Sequence, residues 1–170
     1  MSTEATTSTI PPATNTVEAP TTTADGKISF DQRIKGIPVA IWIKAIDANF
    51  VERNGWKPRE LKVGTYGYDN YAQSLIEVIK AITSIEEDGN SPTQDDVVRA
   101  IFRGWKTSYT FWRDNRPWEK DAKYTAPFDP LGDERREAAA SSTWDKLDEK
   151  EKEKDLALAD IILTLYAEAQ

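Results

Sequence analysis

One stretch limits the folds open to this chain more than any other. From Val97 to Trp112 the residues Val97, Val98, Ile101, Trp105, Tyr109 and Trp112 recur at intervals of three and four, the period of an amphipathic helix. Its beginning is marked as well. Ser91 predicts an N-cap, Pro92 a first helical position, and Gln94 the return arm of a capping box. Asp95 and Asp96 follow where the positive end of the helix dipole welcomes acid. Pro117 cannot continue the helix.

Three further stretches share that period. Pro38 predicts the first position of a helix whose stripe is Ile41, Trp42, Ala45, Ile46 and Phe50, although the β-branched run Ile37–Ile43 also suits a strand. Gly64–Tyr68 reads as a loop or short extended piece. Asp69 then predicts the N-cap of a helix carrying Ala72, Leu75, Ile76, Ile79 and Ile82, stopped by Gly89. Asp129-Pro130-Leu131 can open a short helix through Arg136 to Ala140. A last helix follows Asp148, charged over Glu149–Lys154 and apolar from Leu156 to Tyr166. The expected fold is an all-α bundle of four or five helices over residues 27–170.

Residues 1–26 differ in kind. They are rich in Thr, Ala and Pro, and Ile10 and Val17 have no period. Such a block cannot bury enough surface to offset the entropy of ordering, so a disordered tail is expected.

Composition then excludes chemistry. The chain has no Cys and no His. That removes disulfides, Cys/His metal sites and any His-based nucleophile. No phosphate-cradling glycine motif occurs. Asp95-Asp96, Asp129 and Asp133-Glu134 are better explained as acid-rich helix starts than as catalytic or metal pairs. The expectation is therefore no catalytic residue, no metal and no cofactor. With 22 Lys+Arg against 29 Asp+Glu the net charge is −7, which argues against a nucleic-acid partner. No apolar run reaches the length of a membrane span, and no signal peptide is evident, so a cytosolic or virion-type location is expected.

The aromatic helix remains the best place for a site. Val97–Trp118 carries five basic residues against one acidic, whereas Asp129–Gln170 carries six basic against twelve acidic. In one reading the aromatics are core and the arginines pair with the acidic last helix. In another, Arg103, Trp105, Tyr109, Trp112 and Arg113 form a pocket for an anionic, ring-bearing small molecule. Gly104, inside this helix, implies close approach by another helix or by a ligand.

Part of the chain resembles the small helical RyR-type domain, named after the ryanodine receptor repeats and found also in short phage and bacterial proteins. The resemblance runs over residues 96–165. It rests on Phe102-Arg103-Gly104-Trp105, standing where that family has His-x-x-Trp, and on Leu147 with Glu151-Lys152-Glu153-Lys154-Asp155 at the start of the last helix. It implies a non-catalytic interaction module, a phage, viral or bacterial origin, and in some relatives a nucleotide-derived ligand. The charges of the same residues, read by themselves, point the same way: Glu151, Lys152 and Asp155 can pair with Arg103 or Lys106 on the aromatic helix. A protein partner or self-association is the expected mode of action, with a nucleotide-like small molecule as the alternative.

Overall fold

The computed structural model describes residues Arg33–Ala169. The expected disorder of residues 1–26, and the expected start of the bundle at residue 27, lie outside them. A two-residue hairpin, β1 (Arg33–Ile34) against β2 (Ile37–Pro38), leads into α1 (Val39–Asn54). Then come α2 (Tyr66–Glu87), α3 (Gln94–Asn115), a 3-10 turn at Pro117–Glu119, α4 (Glu134–Ala140), a second such turn at Trp144–Lys146, and α5 (Glu149–Glu168). The protein is an all-α bundle of five helices.

The helices start where their caps lie, and four starts differ from expectation. Pro38 is the N-cap of α1 rather than its first residue, and only Ile37–Pro38 of the β-branched run is strand. The N-cap of α2 is Thr65, whose hydroxyl accepts from Tyr68 N at 3.2 Å. Gly64–Tyr68 is thus a cap and a first turn. Gly64 has φ +86°, and a Cβ there would lie 2.7 Å from Lys123 O, so the helix can begin here only with glycine. Asp69 has another task, described below. For α3 the capping box is Thr93 with Asp96, not Ser91 with Gln94. Asp96 Oδ2 accepts from Thr93 N at 2.8 Å, and this holds its carboxyl below the usual range. The fourth helix begins at Glu134, capped by Asp133, while Asp129 meets Arg136 at 3.4 Å.

One apolar cluster joins all five helices. Its densest seam lies between α2 and α3, and α3 also packs on α5. Gly104 explains the closeness of α2. A Cβ at that position would stand 2.3 Å from Ser74 Cα and 2.5 Å from Ser74 N, so main chain passes directly over main chain. Ser74 Oγ donates to Ile101 O at 3.1 Å across the same contact. On the far side Trp42, fully buried, donates its Nε1 to Ile34 O at 3.2 Å. Buried Lys35 donates to Tyr166 O at 2.8 Å and lies over the Tyr166 ring, tying the hairpin to α5. Burial lowers the Lys35 pKa, with Glu86 opposing the shift. Among the described residues no helix is long and apolar enough to cross a membrane.

Candidate functional site

The fold does not bring the five aromatic and basic residues singled out on α3 into one pocket. Trp112 is buried. Its Nε1 donates to Asp69 Oδ2 at 2.8 Å, the oxygen that also accepts from Ser108 Oγ at 2.9 Å. Asp69 is therefore a half-buried acceptor that fastens α2 to α3. Trp118, Tyr66 and Tyr124 pack around the Trp112 ring at centroid separations of 5.7–5.9 Å. Tyr109 is also buried, with its hydroxyl donating to Glu137 and accepting from Gly132 N. Desolvation and the Glu137 carboxylate push this phenol up to about 12. Arg113 grips Glu137 of α4 at 3.0 Å and its neighbour Asp114 at 2.8 Å. Arg103 is exposed and faces Glu77 of α2 at 3.7 Å.

The ion pairs expected between α3 and α5 are replaced by others. Arg103 goes to α2, and Lys106 Nζ donates to Ser142 O at 2.8 Å. Arg99 holds Asp145 at 2.7 Å, and Glu151 takes Arg135 of α4 at 2.8 Å. The apolar faces of α3 and α5 do pack together, but the charged side chains turn to nearer partners: Glu77 on α2 and Glu137 on α4 take Arg103 and Arg113, and Arg135 on α4 takes Glu151.

Of the five, Trp105 lines a cavity between four of the helices. This space of about 200 Å³ is walled by Tyr66 and Asn70 of α2, Trp105 of α3, Arg136 of α4, and Glu151 and Asp155 of α5. The Trp105 ring lies parallel to Tyr109 at 5.1 Å and to Phe102 at 6.2 Å, so stacking along the helix occupies its faces. Asp155 is the unusual member. Desolvation, and secondarily the Glu151 carboxylate, raise its carboxyl to about 7, with Lys154 opposing.

A larger concavity, of about 800 Å³, lies where no site had been expected. One wall is α1, from Ala40 through Lys44, Ala48 and Glu52. The other is the segment from Trp56 to Val63. Asp47 positions that second wall. Its side chain is only 7 % exposed and receives Arg59 Nη2 at 2.6 Å, and bonding to Asp47 raises the Arg59 pKa further. Trp56 packs on Phe50 at 5.3 Å, with the Arg59 guanidinium over its ring. Trp56 nonetheless remains 48 % exposed and Val63 56 %. The sequence did hold a signal for this groove. The α1 stretch, VAIWIKAIDANFVERN, is apolar on nearly every face, and a helix of that kind wants cover all round. The bundle covers Val39, Trp42, Ile43 and Ile46, and leaves Ile41, Lys44 and Ala48 in the open.

Among the described residues no group of His, Cys, Asp and Glu could hold a metal ion. No protein-family model matches the chain, and neither a curated protein nor a solved structure matches it.

Proposed function

We propose that this chain is a non-enzymatic interaction protein that acts through the α1 groove, and that a second copy of the chain fills it. The observation that carries the reading is the uncovered α1 face beside exposed Trp56 and Val63. Two such faces are complementary to each other when they run antiparallel about Ala48. Lys44 and Glu52 lie four residues to either side of Ala48, each about 6 Å away along the axis. A two-fold contact centred there sets Lys44 of one copy against Glu52 of the other, twice. Among the described residues neither has an ion-pair partner within its own chain. Ala48 allows the helices to approach closely, and Trp56 reaches the Ala40–Ile41 end of the opposite α1. Self-complementarity of this kind is what a two-fold dimer requires, and tryptophan is the residue type most often found at the energetic centre of such contacts.

The resemblance of residues 96–165 to the RyR-type domain supports the non-catalytic part of this reading, and with it a phage, viral or bacterial setting. A nucleotide-like ligand on the aromatic helix has less support, since Trp112 and Tyr109 are buried and Arg103 and Arg113 are paired with Glu77 and Glu137.

Light scattering across a concentration series tests the proposal. The full chain forms a dimer. Lys44→Glu opposes two acids at each pair and yields a monomer, while Lys44→Glu combined with Glu52→Lys restores the dimer. A wild-type chain that stays monomeric, or a dimer indifferent to the single charge reversal, overturns it.

A further inference from the structure

The cavity beside Trp105 carries a second inference, independent of the groove. Its charges do not balance locally. Arg136 is held by Asp133 at 2.8 Å and by Asp129 at 3.4 Å. Arg135 is held by Glu151 at 2.8 Å, and Lys154 reaches the same Glu151 at 3.5 Å. Every basic side chain on the wall therefore has its carboxylate. Asp155, among the described residues, has no ion pair and no hydrogen bond, although it lies deep enough to resist ionisation. Two neutral oxygens share the wall and the deficit. Asn70 Oδ1 is enclosed and accepts no bond. Tyr66 Oη is enclosed too; Asn70, Trp105 and Arg136 approach it, but none closes a well-formed bond. An enclosed acceptor left unmet costs free energy that a donor from outside can recover.

We propose that this cavity binds a small primary alkylammonium ion, its three N–H donors shared among the Asp155 carboxylate, Asn70 Oδ1 and Tyr66 Oη. A primary ammonium has three donors and no acceptor, which matches the three unmet acceptor oxygens of the wall, whose cationic donors already face carboxylates. A quaternary ammonium suits the site poorly, because the Trp105 faces are stacked against Phe102 and Tyr109 and have little π-surface to offer. A volume of about 200 Å³ holds the equivalent of about seven waters, which limits the ligand to a short chain. The ammonium and a proton compete for Asp155. The groups facing that carboxyl are Glu151 and Lys154 on its own helix, Arg135 and Arg136 on α4, and Tyr66 on α2. The basic members among them are already paired.

The test uses the full chain labelled with nitrogen-15, and n-butylammonium chloride as probe. The expected result is a saturable shift of the Trp105 indole and Asn70 side-chain resonances that weakens as the pH falls from about 8 to about 5.5. Asp155→Asn, a near-isostere that keeps the fold, weakens binding at least about tenfold. Neutral n-butanol and tetramethylammonium leave both resonances in place. The proposal is overturned if n-butylammonium causes no shift at about 10 mM, if n-butanol or tetramethylammonium shifts them equally, or if Asp155→Asn binds as the wild type does. It is overturned in its choice of a free amine if N-acetyl-lysine amide binds at least about tenfold more tightly than n-butylammonium, since that result assigns the cavity to a lysine side chain of a partner.

Discussion

Replacing Gly104 with alanine tests the central contact of the fold, because two opposed effects give it a definite sign. In an open helix the change stabilises by about 1 kcal/mol, since alanine loses less backbone entropy. Here the new methyl would lie 2.3 Å from Ser74 Cα, 2.5 Å from Ser74 N and 2.6 Å from Gln73 C. Carbon atoms rest at about 3.5–4.0 Å, so α2 and α3 must part by more than about 1 Å. The obstacle is main chain, which cannot swing aside as the end of a side chain can. Overpacking of this kind costs about 1–3 kcal/mol, and parting the helices also weakens the Ser74 Oγ to Ile101 O bond, worth about 1 kcal/mol. The balance is a net loss of about 2 kcal/mol after the propensity gain. Urea unfolding followed by circular dichroism at equal protein concentration measures it, and Tm should fall by on the order of 5–10 °C. A Gly104→Ala protein as stable as the wild type, or more so, refutes the reasoning, because it means that the two backbones do not touch at Ser74.

Three other outcomes follow from particular side chains. Asp155 has a folded-state pKa raised to about 7, above its unfolded value. Its contribution to stability is therefore complete below about pH 4 and is lost as pH rises through about 7; unfolding midpoints should show this slope, and Asp155→Asn should remove it and be the more stable form at alkaline pH. Arg59→Ala strands the nearly buried Asp47 carboxylate. It should cost about 1–3 kcal/mol and raise the accessibility of Trp56 to a fluorescence quencher. Thr93→Ala removes the acceptor of the α3 capping box, and should cost about 1 kcal/mol in denaturant titration, whereas Ser91→Ala should cost nothing measurable.

How much could be read in advance varied with the kind of interaction. The stripe from Val97 to Trp112 marked α3 correctly, since burying that face leaves no other regular structure open to it. Its cap was misplaced by two residues because Ser91-Pro92 and Thr93 both fit the local pattern. The choice fell to Asp96, whose carboxylate reaches back to Thr93 N. Asp69 was mistaken for a cap for a related reason: a short acid ahead of an apolar run looks the same whether it accepts from its own helix or from Ser108 and Trp112, some forty residues away. The arginines of α3 showed the same limit. Their need for acidic partners was plain from charge counts, but Glu77, Glu137 and Asp145 were chosen by helix placement.

What the chain determined by itself is whatever depends on neighbours within a few turns: an all-α bundle of four or five helices, an absence of Cys and His chemistry, and a glycine in α3 that asked for a close approach. Tertiary structure decided everything that requires distant residues to meet. It set Ser74 over Gly104, placed at the Trp105 cavity an Asp155 with no ion-pair partner among the described residues, and left one face of α1 open beside Trp56. Periodicity and capping act over about four residues, whereas burial and charge pairing depend on which helix arrives alongside.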